Sequence, residues 1–81
     1  FLMATQKEIE QEEQKLRRLR FLVDFTTHLL YQEDMSMLEM LELVEATKQR
    51  ILELFPDKEE TYNLIYKPRF ERIIRERLGS N

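Results

Sequence analysis

The chain has 81 residues, 36% of them charged, with a net charge of −3 and no cysteine. A chain of this length forms one domain with a small hydrophobic core. The absence of cysteine excludes disulfides, thiolate metal sites and cysteine nucleophiles. One glycine, two prolines and abundant Glu, Leu, Arg and Lys favour helix over sheet. The composition therefore predicts an all-α fold, a small helical bundle formed by residues 1–81.

Two residues precede the first methionine of the chain. We expect residues 1–4 to be disordered or to derive from cloning. The N-terminus lacks the apolar segment of a signal peptide, and no apolar run approaches the ~20 residues that span a bilayer. We therefore expect no membrane segment and a cytoplasmic location.

The first helix has two parts with different patterns. Thr5 and Glu8 have the spacing of a capping box, which predicts a helix that begins at Thr5 and ends at Gln32. From Leu16 onward, apolar residues recur on one side of this helix. Before Leu16 the apolar side nearly vanishes, so we expect residues 5–15 to form a solvated extension of the helix.

The second helix is predicted over Met37–Leu54. Ser36 and Glu39 form a second capping box, and Pro56 disfavours helix at the residue before it. A connection of about four residues makes the first two helices antiparallel neighbours. Asp57 and Glu60 have the spacing of a third capping box, which predicts a helix that starts after Asp57.

Pro68 interrupts the last segment, because proline lacks the amide hydrogen and disfavours helix at the preceding residue. Either one helix kinks at Pro68, or a helix over Lys58–Tyr66 ends and another begins there. We favour the second alternative. The predicted fold is a long antiparallel hairpin of helices, Thr5–Gln32 and Met37–Leu54, covered by two short C-terminal helices bent at Pro68.

Residues with reactive side chains do not form a recognisable site in the sequence. Asp24 lies one turn before His28, the only histidine, but both fall on the polar side of the first helix. The glutamates of the second helix also lie on its polar side, and no Glu-x-x-His motif is present. The sequence therefore predicts no enzyme, no cofactor, no metal site and no small-molecule substrate.

The first helix has more apolar residues than one side of it can bury. Phe21 and Phe25 lie one turn apart, away from the centre of the apolar side, where the C-terminal helices or a partner can cover them. A contiguous exposed patch usually marks an interface. We favour a non-enzymatic protein–protein interaction module, a regulatory or adaptor subunit that self-associates as a homodimer. The predicted interface residues are Leu22, Phe21, Phe25, Arg17, Arg18 and Arg20.

The alternative function is a nucleic-acid-binding regulator that uses the arginine-rich C-terminal helix. The residues that can contact phosphates are Arg69, Arg72, Arg75 and Arg77. Glu71 and Glu76 interrupt this basic surface, which favours the protein-interaction alternative. The sequence leaves the identity of the partner and the geometry of self-association open.

Overall fold

The fold is an all-α bundle, as predicted, in a computed structural model that describes residues 5–79. The expectation for residues 1–4 lies outside the described residues. In chain order the elements are α1 (Gln6–Gln32), α2 (Met37–Leu54), α3 (Glu59–Thr61), a π-helical turn (Tyr62–Tyr66) and α4 (Lys67–Gly79).

The first two helix starts are fixed by the capping boxes that the sequence predicts. The Thr5 hydroxyl accepts from the Glu8 amide at 3.1 Å, and the Glu8 carboxylate accepts from the Thr5 amide at 3.2 Å. The same pair of bonds joins Ser36 and Glu39, at 3.1 and 2.8 Å. Bonds from the Ser36 amide and hydroxyl hold the pKa of Glu39 below its ordinary value.

The third predicted cap is wrong. Pro56 and Asp57 form a turn in which the Lys58 amide donates to the Phe55 carbonyl at 3.0 Å. This turn moves the start of α3 to Glu59, with Lys58 at the N-cap position and without a side-chain capping bond. Asp57 therefore lies one residue too early to cap the helix.

The C-terminal helical segment runs from residue 59 to residue 79 without a non-helical residue. Directly before Pro68, the Lys67 amide donates to the carbonyl of Tyr62, five residues back, which is the spacing of a π turn. Pro68 is then the second residue of α4. The predicted division into two helices at Pro68 is therefore replaced by a π turn, the local adjustment with which the helix continues through a residue that cannot donate.

The core lies between α1, α2 and the C-terminal segment, with α2 antiparallel to α1 and α4 returning alongside α1. The three elements all contribute to it. The buried apolar residues are Val23, Leu30, Met40, Ile51, Tyr62, Phe70, Ile73 and Ile74. Thr26 and Thr47 are also buried, and their hydroxyls lie 2.7 Å apart in a hydrogen bond between α1 and α2.

The first half of α1 projects beyond this core. Every side chain from residue 5 to residue 18 is exposed. With 27 residues, α1 is about 40 Å long, whereas the 18 residues of α2 span only about 27 Å. Residues of this extension form one wall of an exposed groove that Leu54 of α2 also lines.

Candidate protein interface

Phe21 and Phe25 form an exposed, stacked aromatic pair on α1. Phe21 is 63% exposed and Phe25 is 48% exposed. Their ring centroids are 5.6 Å apart, and the ring planes differ by only 9°. The C-terminal segment does not wrap over these rings, so that alternative is wrong for the described residues.

The C-terminal segment packs on the other flank of α1. The Tyr31 hydroxyl donates to the Glu76 carboxylate at 3.1 Å, and this bond raises the pKa of Tyr31. The Arg77 guanidinium donates to the carbonyls of Tyr31 and Glu33, at 2.8 Å for Glu33. At 100° per residue, Phe25 and Tyr31 project about 120° apart, on either side of the buried Val23, Thr26 and Leu30. α4 therefore covers one flank and leaves the phenylalanines uncovered.

The last turns of α2 form a second wall beside Phe21 and Phe25. Arg50, Glu53 and Leu54 line a groove of about 300 Å³ together with Phe21 and Phe25. None of these three residues was among the predicted interface residues. The antiparallel pairing of α1 and α2 was the signal that could have found them, because it places the end of α2 beside the middle of α1.

A larger open groove, about 860 Å³, continues along the exposed half of α1 from Phe21. Arg17 and Arg18 line it, and Arg17 pairs with Glu13 at 3.8 Å. Leu22 is half-buried and packs against the core at the edge of the smaller groove. Arg20 is exposed but lines neither groove. The structure thus brings five of the six predicted interface residues together and leaves Arg20 apart; whether they contact a partner stays a prediction.

The four arginines of the alternative nucleic-acid surface have different surroundings. Arg77 binds the C-terminal carbonyls of α1, where a cation stabilises the helix dipole. The Arg69 guanidinium lies 5.7 Å from the centre of the Tyr66 ring. Arg72 pairs with Glu76 at 3.8 Å, whereas Arg75 is exposed beside it. These residues do not form one uninterrupted basic surface.

Asp24 and His28 are exposed, and no group of three or more His, Cys, Asp or Glu within residues 5–79 could hold a metal ion. Burial, with contributions from Glu45 and Glu71, raises the pKa of Tyr62 from its ordinary value of 10.0 to about 12. None of the helices in the described part of the chain combines the length and apolar character needed to cross a bilayer.

Comparisons with protein families, with curated proteins and with solved structures return no match to this chain.

Proposed function

We propose that this protein is a non-enzymatic interaction module that forms a homodimer through the phenylalanine flank. We define this flank as Phe21 and Phe25 with Leu22 and Leu54, rimmed by charged residues of α1 and α2. The observation that carries the proposal is the exposure of two stacked aromatic rings beside a leucine from the next helix. Aromatic anchors with arginine at the rim are the usual composition of an interface centre.

Covering these rings supplies free energy for association. Complete burial of an exposed phenylalanine side chain contributes about 1.5–3 kcal/mol. Because Phe21 is 63% exposed and Phe25 is 48% exposed, the dimer gains roughly half of this for each ring, and a two-fold dimer contains two copies of each. Part of this gain offsets the loss of translational and rotational freedom on association. Four rings and two leucines at the centre of one interface supply enough apolar contact for a dimer of moderate affinity.

The charges around the flank favour a second copy of the chain as the partner. Arg18, Arg50 and Glu53 all line the smaller groove, so the flank carries both signs of charge. In a two-fold interface the same surface meets itself, and an arginine of one copy can face Glu53 of the other. A flank with cations alone would repel its own copy. The mixed rim therefore suits self-association and fixes its register.

The test is sedimentation equilibrium of the protein and two glutamate variants. Phe21→Glu places a charge at the centre of the flank, and we expect it to reduce the mass from twice 10.0 kDa to 10.0 kDa. The matched control is Leu38→Glu, because Leu38 is 65% exposed on α2 and lines neither groove of the flank. We expect Leu38→Glu to remain a dimer.

Far-UV circular dichroism of both variants establishes that their helices are intact. A folded Phe21→Glu variant that keeps the mass of the dimer would contradict the proposal. A parent protein that sediments at 10.0 kDa at every concentration would contradict it as well.

The nucleic-acid alternative stays a prediction, and a duplex-binding measurement separates it from ours. At about 50 mM salt a phosphate-contacting protein binds DNA, and its affinity falls steeply as salt is added. We expect no such binding, because Arg77 is engaged at the end of α1 and Glu76 lies beside Arg72.

A regulatory or adaptor role in the cytoplasm completes our proposal, and imaging of the tagged chain in cells tests the location.

A further inference from the structure

A second apolar cleft lies at the base of the bundle, where α1 continues beyond the other helices. Its volume is about 190 Å³. The walls come from α1, from the end of α2 and from the π turn, and they include Leu16, Leu19, Ile51, Phe55, Tyr62 and Tyr66. The π turn matters here because it supplies both tyrosines, whose ring centroids are 6.2 Å apart. Turns of this kind occur frequently at functional sites.

The size of the cleft selects the kind of group that fits. Pockets for small-molecule ligands usually measure about 300–1,000 Å³. A cavity of about 150 Å³ lined by apolar side chains is large enough for benzene. A cleft of about 190 Å³ therefore accommodates one phenyl or isobutyl group, which is the side chain of a phenylalanine or a leucine.

Three cations lie at the mouth of the cleft, whereas Glu8, Glu12 and Glu13 line a neighbouring groove on the other side of Leu16. Lys58 lines the cleft directly, the Lys15 ammonium lies 5.9 Å from the centre of the Phe55 ring, and Arg69 lies over Tyr66. Among the described residues, none of these three cations has a carboxylate within ion-pair distance. The nearby carboxylate of Glu59 is already paired, with Lys48 at 3.2 Å.

We propose that this cleft binds one phenylalanine or leucine side chain from an acidic helical segment of another protein. The apolar walls bury the side chain, and carboxylates on the turns before and after it face Lys15, Lys58 and Arg69. A helix that presents its apolar residue to such a groove is a common mode of peptide recognition. This inference does not depend on the dimer, because the cleft and the phenylalanine flank share no apolar residue, although Lys15 lies between them.

A second copy is a poor occupant through its own phenylalanine flank. Phe21 and Phe25 are accompanied by three arginines, Arg17, Arg18 and Arg50, and by one carboxylate, Glu53, so more cations than anions would meet the cations at the mouth of the cleft. Like charges brought together at an interface are unfavourable. The cleft and the flank are thus suited to different partners.

The experiment is fluorescence anisotropy with a fluorescein-labelled helical peptide made of glutamate and alanine, with one phenylalanine at its centre. Two matched peptides carry alanine in place of phenylalanine, or lysine in place of every glutamate. We expect the alanine peptide to bind at least about tenfold more weakly, because the ring is the buried anchor. We expect no binding of the lysine peptide.

Two protein variants assign the binding to the cleft. Leu16→Glu places a charge on its wall, and Lys58→Glu reverses a charge at its mouth; we expect each to weaken binding of the phenylalanine peptide by about tenfold or more. The control is Leu78→Glu. Leu78 is 47% exposed, similar to the 41% of Leu16, and it lies at the end of α4 that is far from the cleft. We expect Leu78→Glu to bind as the parent does.

Circular dichroism verifies the fold of each variant, and Lys58→Glu changes an exposed side chain outside the buried core. Equal binding of the phenylalanine and alanine peptides would overturn the proposal, as would unchanged affinity in both Leu16→Glu and Lys58→Glu. A Leu16→Glu variant that loses self-association, with no peptide binding to the parent, would assign the cleft to a second copy and would also overturn it.

Discussion

The core and the surface of this bundle each contain side chains that hydrophobicity alone would place in the other region. Thr26 and Thr47 are buried between α1 and α2, whereas Phe21 and Phe25 are exposed on α1. The threonines lie on the side of each helix that faces its neighbours, and the phenylalanines lie on a flank that only α2 approaches. Position on the helix, rather than hydrophobicity, decides which side chain is buried in one copy of the chain.

Thr26 and Thr47 can be buried because their hydroxyls form a chain of hydrogen bonds that ends at a backbone carbonyl. The Thr47 hydroxyl donates to the Leu43 carbonyl at 2.9 Å, so its oxygen is left to accept from Thr26 at 2.7 Å. Burial of two hydroxyls therefore leaves no donor without an acceptor. The exposed rings have no comparable compensation within one copy.

The largest expected effect is the loss of stability when a buried phenylalanine is truncated, compared with truncation of an exposed one. Phe70 is fully buried. We expect Phe70→Ala to lower the free energy of unfolding by about 3–5 kcal/mol, because the variant loses burial and leaves a cavity. Phe25→Ala should change the stability of the monomer by less than about 1 kcal/mol. Urea denaturation at low protein concentration measures both, and similar losses would contradict the contrast between inside and outside.

The threonine pair gives the next largest effect. Thr47→Val leaves the Thr26 hydroxyl without its acceptor, and we expect a loss of about 1–3 kcal/mol. Thr26→Val should cost less, since Thr47 still donates to Leu43. The double variant should be more stable than the sum of the two losses implies, because neither hydroxyl is then stranded. Thermal unfolding of the three variants gives the coupling, and strict additivity would contradict the bonding order.

The smallest expected effect comes from the capping box of α2, which stabilises the helix locally and does not depend on packing in the core or at the surface. We expect Ser36→Ala to cost about 1 kcal/mol at neutral pH. The pKa of Glu39 is lowered in the folded state, so its stabilisation is present above its ordinary pKa of 4.5 and is lost as the pH falls through the lowered value. Glu39→Gln should therefore destabilise the protein at neutral pH and not at acidic pH. Thermal unfolding at both pH values checks this, and an equal effect at both would contradict it.

Local signals in the sequence were sufficient for the first two helices. The capping boxes at Thr5 and Ser36 act between residues three apart, so the sequence contains both partners. Asp57 carries the same spacing but lies in a turn with Pro56, and the bond that closes this turn, from the Lys58 amide to the Phe55 carbonyl, overrides the capping pattern. The π turn before Pro68 also has no counterpart in the apolar periodicity.

The candidate interface could be predicted only in part. Phe21 and Phe25 were found because they lie off the apolar side of α1. Arg50 and Leu54 were not, since their place beside Phe21 depends on how α2 packs against α1. Arg77 looked like a phosphate contact in the sequence, but the path of α4 brings it to the end of α1. Contacts between helices determine these roles, and the residue pattern within a single helix does not predict such contacts.

The most direct test of the central claim is an isotope-filtered nuclear Overhauser measurement on a mixture of labelled and unlabelled protein. It detects only protons that are close together on different copies of the chain. We predict cross-peaks between the ring protons of Phe21 and Phe25 on one copy and those of Phe21, Phe25 or Leu54 on the other. A dimeric sample that shows intermolecular cross-peaks elsewhere and none at these rings would contradict the account.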